Sequence, residues 1–355
     1  MTAAPINIRE HLIGPGQPAY IIAEMSGNHG HSFDQAVQLV EEAKRCGADA
    51  IKLQTYTADT LTIDCDTEHF RIKGTLWNGK NLYDLYGEAF TPWDWQPKLK
   101  GIANNLGLDC FSTPFDSTAV DFLEAMEVPA HKIASFELVD LALIQKVART
   151  GKPVIMSTGM ASLEEINEAV DAFREAGGTQ LALLKCTSAY PSPPEEMNLK
   201  TIADLAERFG VPVGLSDHTL GYAVPVTAVA LGACIVEKHL TLSRSHPGPD
   251  SAFSLEPGEF SQMVTAVRDA SAAIGRVSYD VTAHEKNSRI FRRSLFAVRD
   301  IEPGEAFTPE NVRSIRPGNG LAPKHLDDVL HRCASKRISA GTPLDWNLIR
   351  IDQGS

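Results

Sequence analysis

Short apolar runs alternate with helical patterns eight times between Tyr20 and Ile274, and few folds accommodate such a repeat. The runs are Tyr20–Ala23, Ala50–Leu53, Leu108–Phe111, His131–Ala134, Pro153–Met156, Leu181–Leu184, Val213–Leu215 and Cys234–Val236. Helical patterns fall at Phe33–Cys46, Pro92–Leu106, Thr118–Met126, Leu141–Thr150, Ser162–Ala176, Leu199–Phe209, Tyr222–Leu231 and Pro257–Ile274. Several open after Ser, Thr or Asp, which cap helix N-termini, and several stop at Gly. Alternation of this kind predicts parallel pairing through right-handed crossovers. Eight units within roughly 250 residues predict an α/β fold of the (β/α)8 TIM-barrel type. A doubly wound open sheet is the alternative. It usually needs fewer units, and no Gly-x-Gly-x-x-Gly follows the first run.

Polar residues cluster just past the strands, where barrel loops build active sites. Glu24 ends the first, Lys52 and Gln54 the second, and Thr113 and Phe115 the third. Lys132, Ser135 and Glu137 follow the fourth, Ser157 the fifth, Lys185, Ser188 and Tyr190 the sixth, and Ser216 the seventh. A single charged strand end is tolerable as solvated surface; repetition in nearly every unit is what points to a site. Lys52 and Lys132 would project into one mouth, with Lys185 and Lys238 as additions. Lysines with Ser/Thr donors make a phosphate or carboxylate cradle. The competing reading pairs them with Glu24, Glu137 and Glu237 as a structural salt-bridge layer.

The stretch Gly214–Asp250 delivers two histidines, His218 and His239, just past the seventh and eighth runs. On adjacent parallel strands they would emerge side by side, near Asp217, Glu237 and Asp250. That constellation suits a divalent metal such as Mn2+, Mg2+ or Fe2+, with open positions for water and substrate oxygen. The same spacing fits two unrelated histidines, one capping and one packed. His29, His31 and His246 read as loop histidines. There is no nucleophile elbow of the Gly-x-Ser-x-Gly type and no P-loop.

One connection is long: 58–91, between the second strand and its helix, rich in polar and aromatic residues. Such a loop is expected to act as a lid or binding loop; the plainer reading is a surface hairpin with a short helix. The barrel pattern ends near Gly275. Residues 277–293 read as a linker, and 294–355 as a small β-rich domain with strands at Ser294–Val298, Val312–Arg316 and from Gly341, small enough to need docking on a barrel. The chain of 355 residues carries a formal charge of −12, which disfavours nucleic-acid and anionic-membrane surfaces. None of the six cysteines forms Cys-x-x-Cys, Met1–Leu12 lacks a signal pattern, and no run reaches membrane-span length, so a cytoplasmic setting is expected.

These motifs, taken together, resemble the sialic acid synthase family, whose members condense phosphoenolpyruvate with an N-acetylated sugar. The matching stretches are Ile22-Ala-Glu-Met-Ser-Gly-Asn-His, Ile51-Lys-Leu-Gln-Thr-Tyr, Phe111-Ser-Thr-Pro-Phe, Lys132-Ile-Ala-Ser-Phe-Glu, Met156-Ser-Thr-Gly-Met, Lys185-Cys-Thr-Ser-Ala-Tyr-Pro, Gly214-Leu-Ser-Asp-His-Thr, Glu237-Lys-His and Pro247-Gly-Pro-Asp. The C-terminal unit, with Ile315-Arg-Pro-Gly-Asn-Gly, resembles that family's antifreeze-like (SAF) domain. Within the family, Leu53-Gln-Thr-Tyr-Thr-Ala-Asp and Gly74-Thr-Leu-Trp-Asn-Gly-Lys-Asn-Leu-Tyr are most similar to the pseudaminic acid branch. The N-acetylneuraminate branch has a shorter connection there and an Asn where this chain has Ser188. The resemblance implies that residues 1–276 form the synthase barrel and that His218 and His239 bind the metal, Mn2+ with Mg2+ or Co2+ as alternatives. It implies that Lys52, Thr113, Lys132, Ser135, Ser157, Ser188 and Ser216 surround phosphoenolpyruvate, and that Glu24 and Asp250 handle metal water and protons. Gln54, Phe115, Glu137 and Tyr190 would meet the substrates on the sugar side. Arg316 would contact an acetamido oxygen from the small domain of the other subunit of a domain-swapped homodimer.

Overall fold

A computed structural model describes residues 3–74, 77–246 and 248–350. Thr75, Leu76 and Pro247, which belong to quoted motifs, lie outside the described residues, as do the ends of the chain. Two compact units are present, Met1–Gly275 and Arg276–Ser355.

The first unit opens with a hairpin, β1 (Ile6–Ile8) and β2 (His11–Ile13), paired antiparallel with Ile6 opposite Ile13. Eight parallel strands follow: β3 (Tyr20–Glu24), β4 (Ala50–Thr55), β5 (Asp109–Pro114), β6 (His131–Ile133), β7 (Val154–Ser157), β8 (Leu181–Cys186), β9 (Val213–Asp217) and β10 (Ile235–His239). They close in chain order, β10 pairing back onto β3 with His239 opposite Glu24. The expected barrel is therefore the fold. Its outer helices include α1 (Phe33–Arg45), capped by the Ser32 hydroxyl, which accepts from Gln35 N.

Side chains on a strand point alternately to either face. Ile21, Ala23, Ile51, Leu53, Leu181, Leu183, Val213, Leu215 and Val236 face the helices and form the larger core. Their neighbours Tyr20, Ile22, Ala50, Phe111, Ile155, Ala182, Leu184 and Ile235 fill the barrel, together with Ile6, Ile8 and Ile13 of the hairpin. The hairpin thus plugs the end where the strands begin. Its three-residue strands are too short for period-2 alternation to register in the sequence. Gly214 also faces inward: a Cβ there would come 2.5 Å from Ile235 O and 2.7 Å from a Leu184 methyl carbon, so the narrow interior accepts no side chain.

The long connection after β4 folds into α2 (Ala58–Leu61), a 3-10 turn at Glu68–Phe70, a single bridge between Arg71 and Asn81, and α3 (Leu82–Ala89). It ends before α4 (Gln96–Asn105).

In the second unit, β11 (Ser294–Ala297) and β12 (Val312–Ile315) pair antiparallel around a core that includes Leu295, Ile301, Phe307, Val312 and Leu344. Gly341-Thr-Pro-Leu, expected to open a third strand, contributes one bridge, Phe296 with Pro343. The expected linker carries a helical turn at Ala283–Ser288, capped by Thr282. Among the described residues no helix is long and apolar enough to cross a membrane.

Candidate active site

Two residues beyond the last inward apolar side chain of several strands, the same parity brings a polar one inward. Ile22 leads to Glu24, Ala50 to Lys52 and Gln54, Ile155 to Ser157, and Ile235 to Glu237 and His239. All of these polar residues line one cavity of about 370 Å³ at the strand ends, with Lys132, Ser135, Glu137, Tyr190, Ser216, His218, Phe115 and Asp250. Thr113 lies just beneath, fully buried, where its hydroxyl accepts from Lys52 Nζ at 3.2 Å. Ser188 flanks the same region: a Cβ on Gly159 would lie 2.3 Å from its Oγ and 2.7 Å from Ser135 Oγ, so glycine keeps this notch open. Arg316 belongs to the second unit, where it is exposed.

The charged layer is buried and internally paired. Lys52 forms an ion pair with Glu24 and lies 3.9 Å from Glu237, while Lys132 lies 3.5 Å from Glu237 and donates to Ser157 Oγ at 2.7 Å. Gln54 Nε2 donates to Glu24 Oε1 at 3.0 Å, and Ser216 Oγ to Glu237 Oε1 at 3.0 Å. The lysines thus do pair with carboxylates, as the salt-bridge reading expects. Burial pushes Glu24 up to about 7, helped by the charge of Glu237 and opposed by Lys52. Burial works against the Glu237 carboxylate too, but Lys132 and Lys52 outweigh it and hold it below the ordinary range. Glu137, on the turn after β6, is pushed up to about 7 by burial, and its Oε2 has no partner.

Two expected additions to the lysine set do not enter the mouth. Lys238 follows Glu237 by one residue and so faces the helices, fully buried, with Asp217 Oδ2 at 2.6 Å and the Thr219 carbonyl as partners. Asp217 is turned away from the histidines for the same reason. Lys185 is likewise outward, donating to Cys186 O at 2.7 Å and Thr187 Oγ1 at 3.2 Å. His29, expected in a loop, lies in one and is buried there: its Nδ1 accepts from His31 N at 3.1 Å, so Nε2–H donates to Thr91 Oγ1 at 3.0 Å. Burial drops it to about 4, and it ties the first strand's loop to the end of the 58–91 segment.

The two candidate metal ligands sit with ring centroids 5.3 Å apart. His218 Nδ1 donates to Thr187 O at 3.1 Å; burial works against its charged form, but Cys186 and this carbonyl outweigh burial and raise its proton affinity. His239 Nδ1 is buried without a partner, and burial, then the charges of His218 and the nearby lysines, hold this imidazole in its neutral form. The bare Nδ1 of His239, and Nε2 of His218 once it gives up its proton, are nitrogens of the kind a divalent metal takes. Among the described residues no group of three or more His, Cys, Asp or Glu is arranged to hold one. Asp250 stands beside them, accepting from the Ser26 hydroxyl.

Several lining residues carry no charge and escaped the strand-end pattern: Tyr56, Trp77, Tyr86 and Cys186. Cys186 was visible by parity, two positions after inward Leu184. The aromatics depended on how the long segment folds. Trp77 Nε1 donates to Pro249 O at 2.9 Å and its ring meets Tyr190 at 5.7 Å; Tyr190 in turn lies 4.5 Å from the His218 ring.

Comparison with known proteins gives two family matches: the NeuB family over residues 39–279 and the SAF domain over 292–350. A pseudaminic acid synthase of Campylobacter jejuni is 47% identical over 325 residues, covering 92% of this chain and 95% of that protein. A pseudaminic acid synthase of Helicobacter pylori is 44% identical over 329 residues, covering 92% and 97%. Among solved structures, N-acetylneuraminic acid synthetase from Leptospira borgpetersenii, in complex with citrate, superposes with a TM-score of 0.72 at 31% identity, covering 81% of this chain and 95% of that one.

Proposed function

The chain belongs to the NeuB family, as its motifs suggested, and on that premise we propose that it joins phosphoenolpyruvate to 2,4-diacetamido-2,4,6-trideoxy-L-altrose, giving pseudaminic acid and inorganic phosphate. The observation that carries this reading is the inward layer: two buried lysines with Ser157 and Ser216 and two buried histidines, His218 and His239, lining one cavity. Such a layer suits a small phosphorylated anion held next to an electrophile. The acceptor is supported by identity of 44% and 47% to pseudaminic acid synthases, against 31% to the solved N-acetylneuraminic acid synthetase.

In this reading Lys52 and Lys132 exchange their carboxylate partners for the phosphate and carboxylate of phosphoenolpyruvate. Ser135, Ser157, Ser188 and Ser216 add hydroxyl donors, and Thr113 steadies Lys52. His218 and His239 would hold a divalent metal, Mn2+ by preference, which would supply Lewis-acid chemistry toward the open-chain sugar's aldehyde. Glu24 and Asp250 flank that position and hold or pass protons there. Gln54, Phe115, Glu137 and Tyr190 orient the sugar. C3 of phosphoenolpyruvate adds to the aldehyde carbon, water adds at C2, and the C2–O bond to phosphate breaks. Fixing both reactants in one barrel mouth supplies much of the rate. The protein would act in the cytoplasm as a homodimer, with Arg316 of one copy serving the acetamido oxygen in the cavity of the other.

Phosphate release with a panel of acceptors tests the assignment. The diacetamido-trideoxy-altrose should support turnover at least ~100-fold better than N-acetylmannosamine, and His218→Ala should abolish turnover while keeping a native circular dichroism spectrum. Preference for N-acetylmannosamine would move the chain to the neuraminate branch. Full turnover by His218→Ala would remove the metal role.

A further inference from the structure

Above the strand ends the cavity is walled by a surface that sugar hydroxyls do not explain. The 58–91 segment leaves the C-terminal end of β4, so it rises over the mouth. Its helix α3 turns Leu82, Leu85, Tyr86 and Ala89 to the cavity, the i, i+3, i+4, i+7 set of one helical face. Leu61 and Ile72 extend that face. Leu85 and Ala89 are buried, whereas Leu82, Tyr86, Leu61 and Ile72 are half-buried, as side chains that border a cavity are. The wall is held in place from several sides. Asn81 caps α3, accepting from Tyr83 N at 2.8 Å and donating to Cys65 O at 2.8 Å, and the Tyr83 hydroxyl donates to Asp59 at 3.0 Å. Trp77 fastens the segment to Pro249. A preorganised apolar wall binds methyl groups well and offers hydroxyls little.

We propose that this face of α3 selects the acceptor by its apolar end: with the aldehyde at His218 and His239, the C4 acetamido methyl and the C6 methyl lie against Leu82, Leu85 and Tyr86. The inference rests on the acceptor class proposed above and says which residues enforce it. Segment 58–91 is then a specificity wall, and the strand-end residues below it serve any acceptor of the family.

The test compares kcat/KM for the 6-deoxy diacetamido acceptor with that for its analogue bearing a C6 hydroxyl, in the wild type, Leu82→Asn and the conservative Leu82→Met. The wild type should prefer the 6-deoxy sugar about 10-fold or more, the discrimination one methyl-sized contact supplies. Leu82→Asn should raise the KM of that sugar about 10-fold and erase the preference, with the KM for phosphoenolpyruvate unchanged. Leu82→Met, which keeps the apolar contact and guards against a folding artefact, should retain the preference. Equal losses on both acceptors, or a raised KM for phosphoenolpyruvate, would overturn the wall. A wild type that ignores both diacetamido sugars but accepts N-acetylmannosamine would overturn the acceptor class itself, and the wall with it, a result distinct from failure of the variants alone.

Discussion

Four lysines end barrel strands, and parity sorts them into two kinds. Lys52 and Lys132 face the mouth among carboxylates and hydroxyls; Lys238 faces the helices and is locked to Asp217. Removing one partner of a buried pair strands the other charge, at a cost of about 3–5 kcal/mol. Lys238→Met should therefore lower stability by about that amount while turnover per folded molecule stays near wild type, as measured by denaturant titration alongside phosphate release. A selective rise in the KM for phosphoenolpyruvate would return Lys238 to the site. Glu137 makes a pH prediction. Burial raises it from 4.5 to about 7, so the folded state holds its proton more tightly than the unfolded chain. Its stabilising contribution is whole below about pH 4.5 and is lost as pH rises through 7. For this partly exposed group the loss is about 1–2 kcal/mol after screening. Glu137→Gln should flatten the fall in melting temperature between pH 5 and 8; an unchanged pH profile would contradict it.

At the scale of elements, the barrel was legible because each strand–helix unit repeats the same punctuation, and the site was legible because charged residues recur where strands end. The direction of each side chain was not, because a one-residue slip reverses every face. Glu237-Lys238-His239 alternates in, out, in, and only the pairing of His239 with Glu24 settles which is which. The β1–β2 hairpin was missed for its brevity, although Ile6, Ile8 and Ile13 complete the barrel interior. His29 lies in a loop, as read from the sequence; that it is buried there depends on Thr91, 62 residues away. The 58–91 segment showed as a long insertion, and the 82, 85, 86, 89 stripe of α3 is readable as a helical face. That the stripe meets a cavity and not a core follows from tertiary structure alone.

At the scale of the whole molecule, the second unit is a small core of its own carrying an exposed Arg316. If Arg316 serves a second copy, chains bearing His218→Ala and chains bearing Arg316→Ala, each crippled alone, should recover part of the wild-type rate when refolded together, because mixed dimers contain one intact site. No recovery in mixed dimers would confine Arg316 to its own chain. The central claim, that the barrel mouth joins phosphoenolpyruvate to an amino-sugar aldehyde, is tested most directly with phosphoenolpyruvate carrying 18O in its bridging position. With the diacetamido-trideoxy-altrose and Mn2+, mass spectrometry should find nine-carbon acid and phosphate in equal amounts, with the label in the phosphate. Label retained in the acid, or phosphate released at the same rate without the sugar, would contradict it.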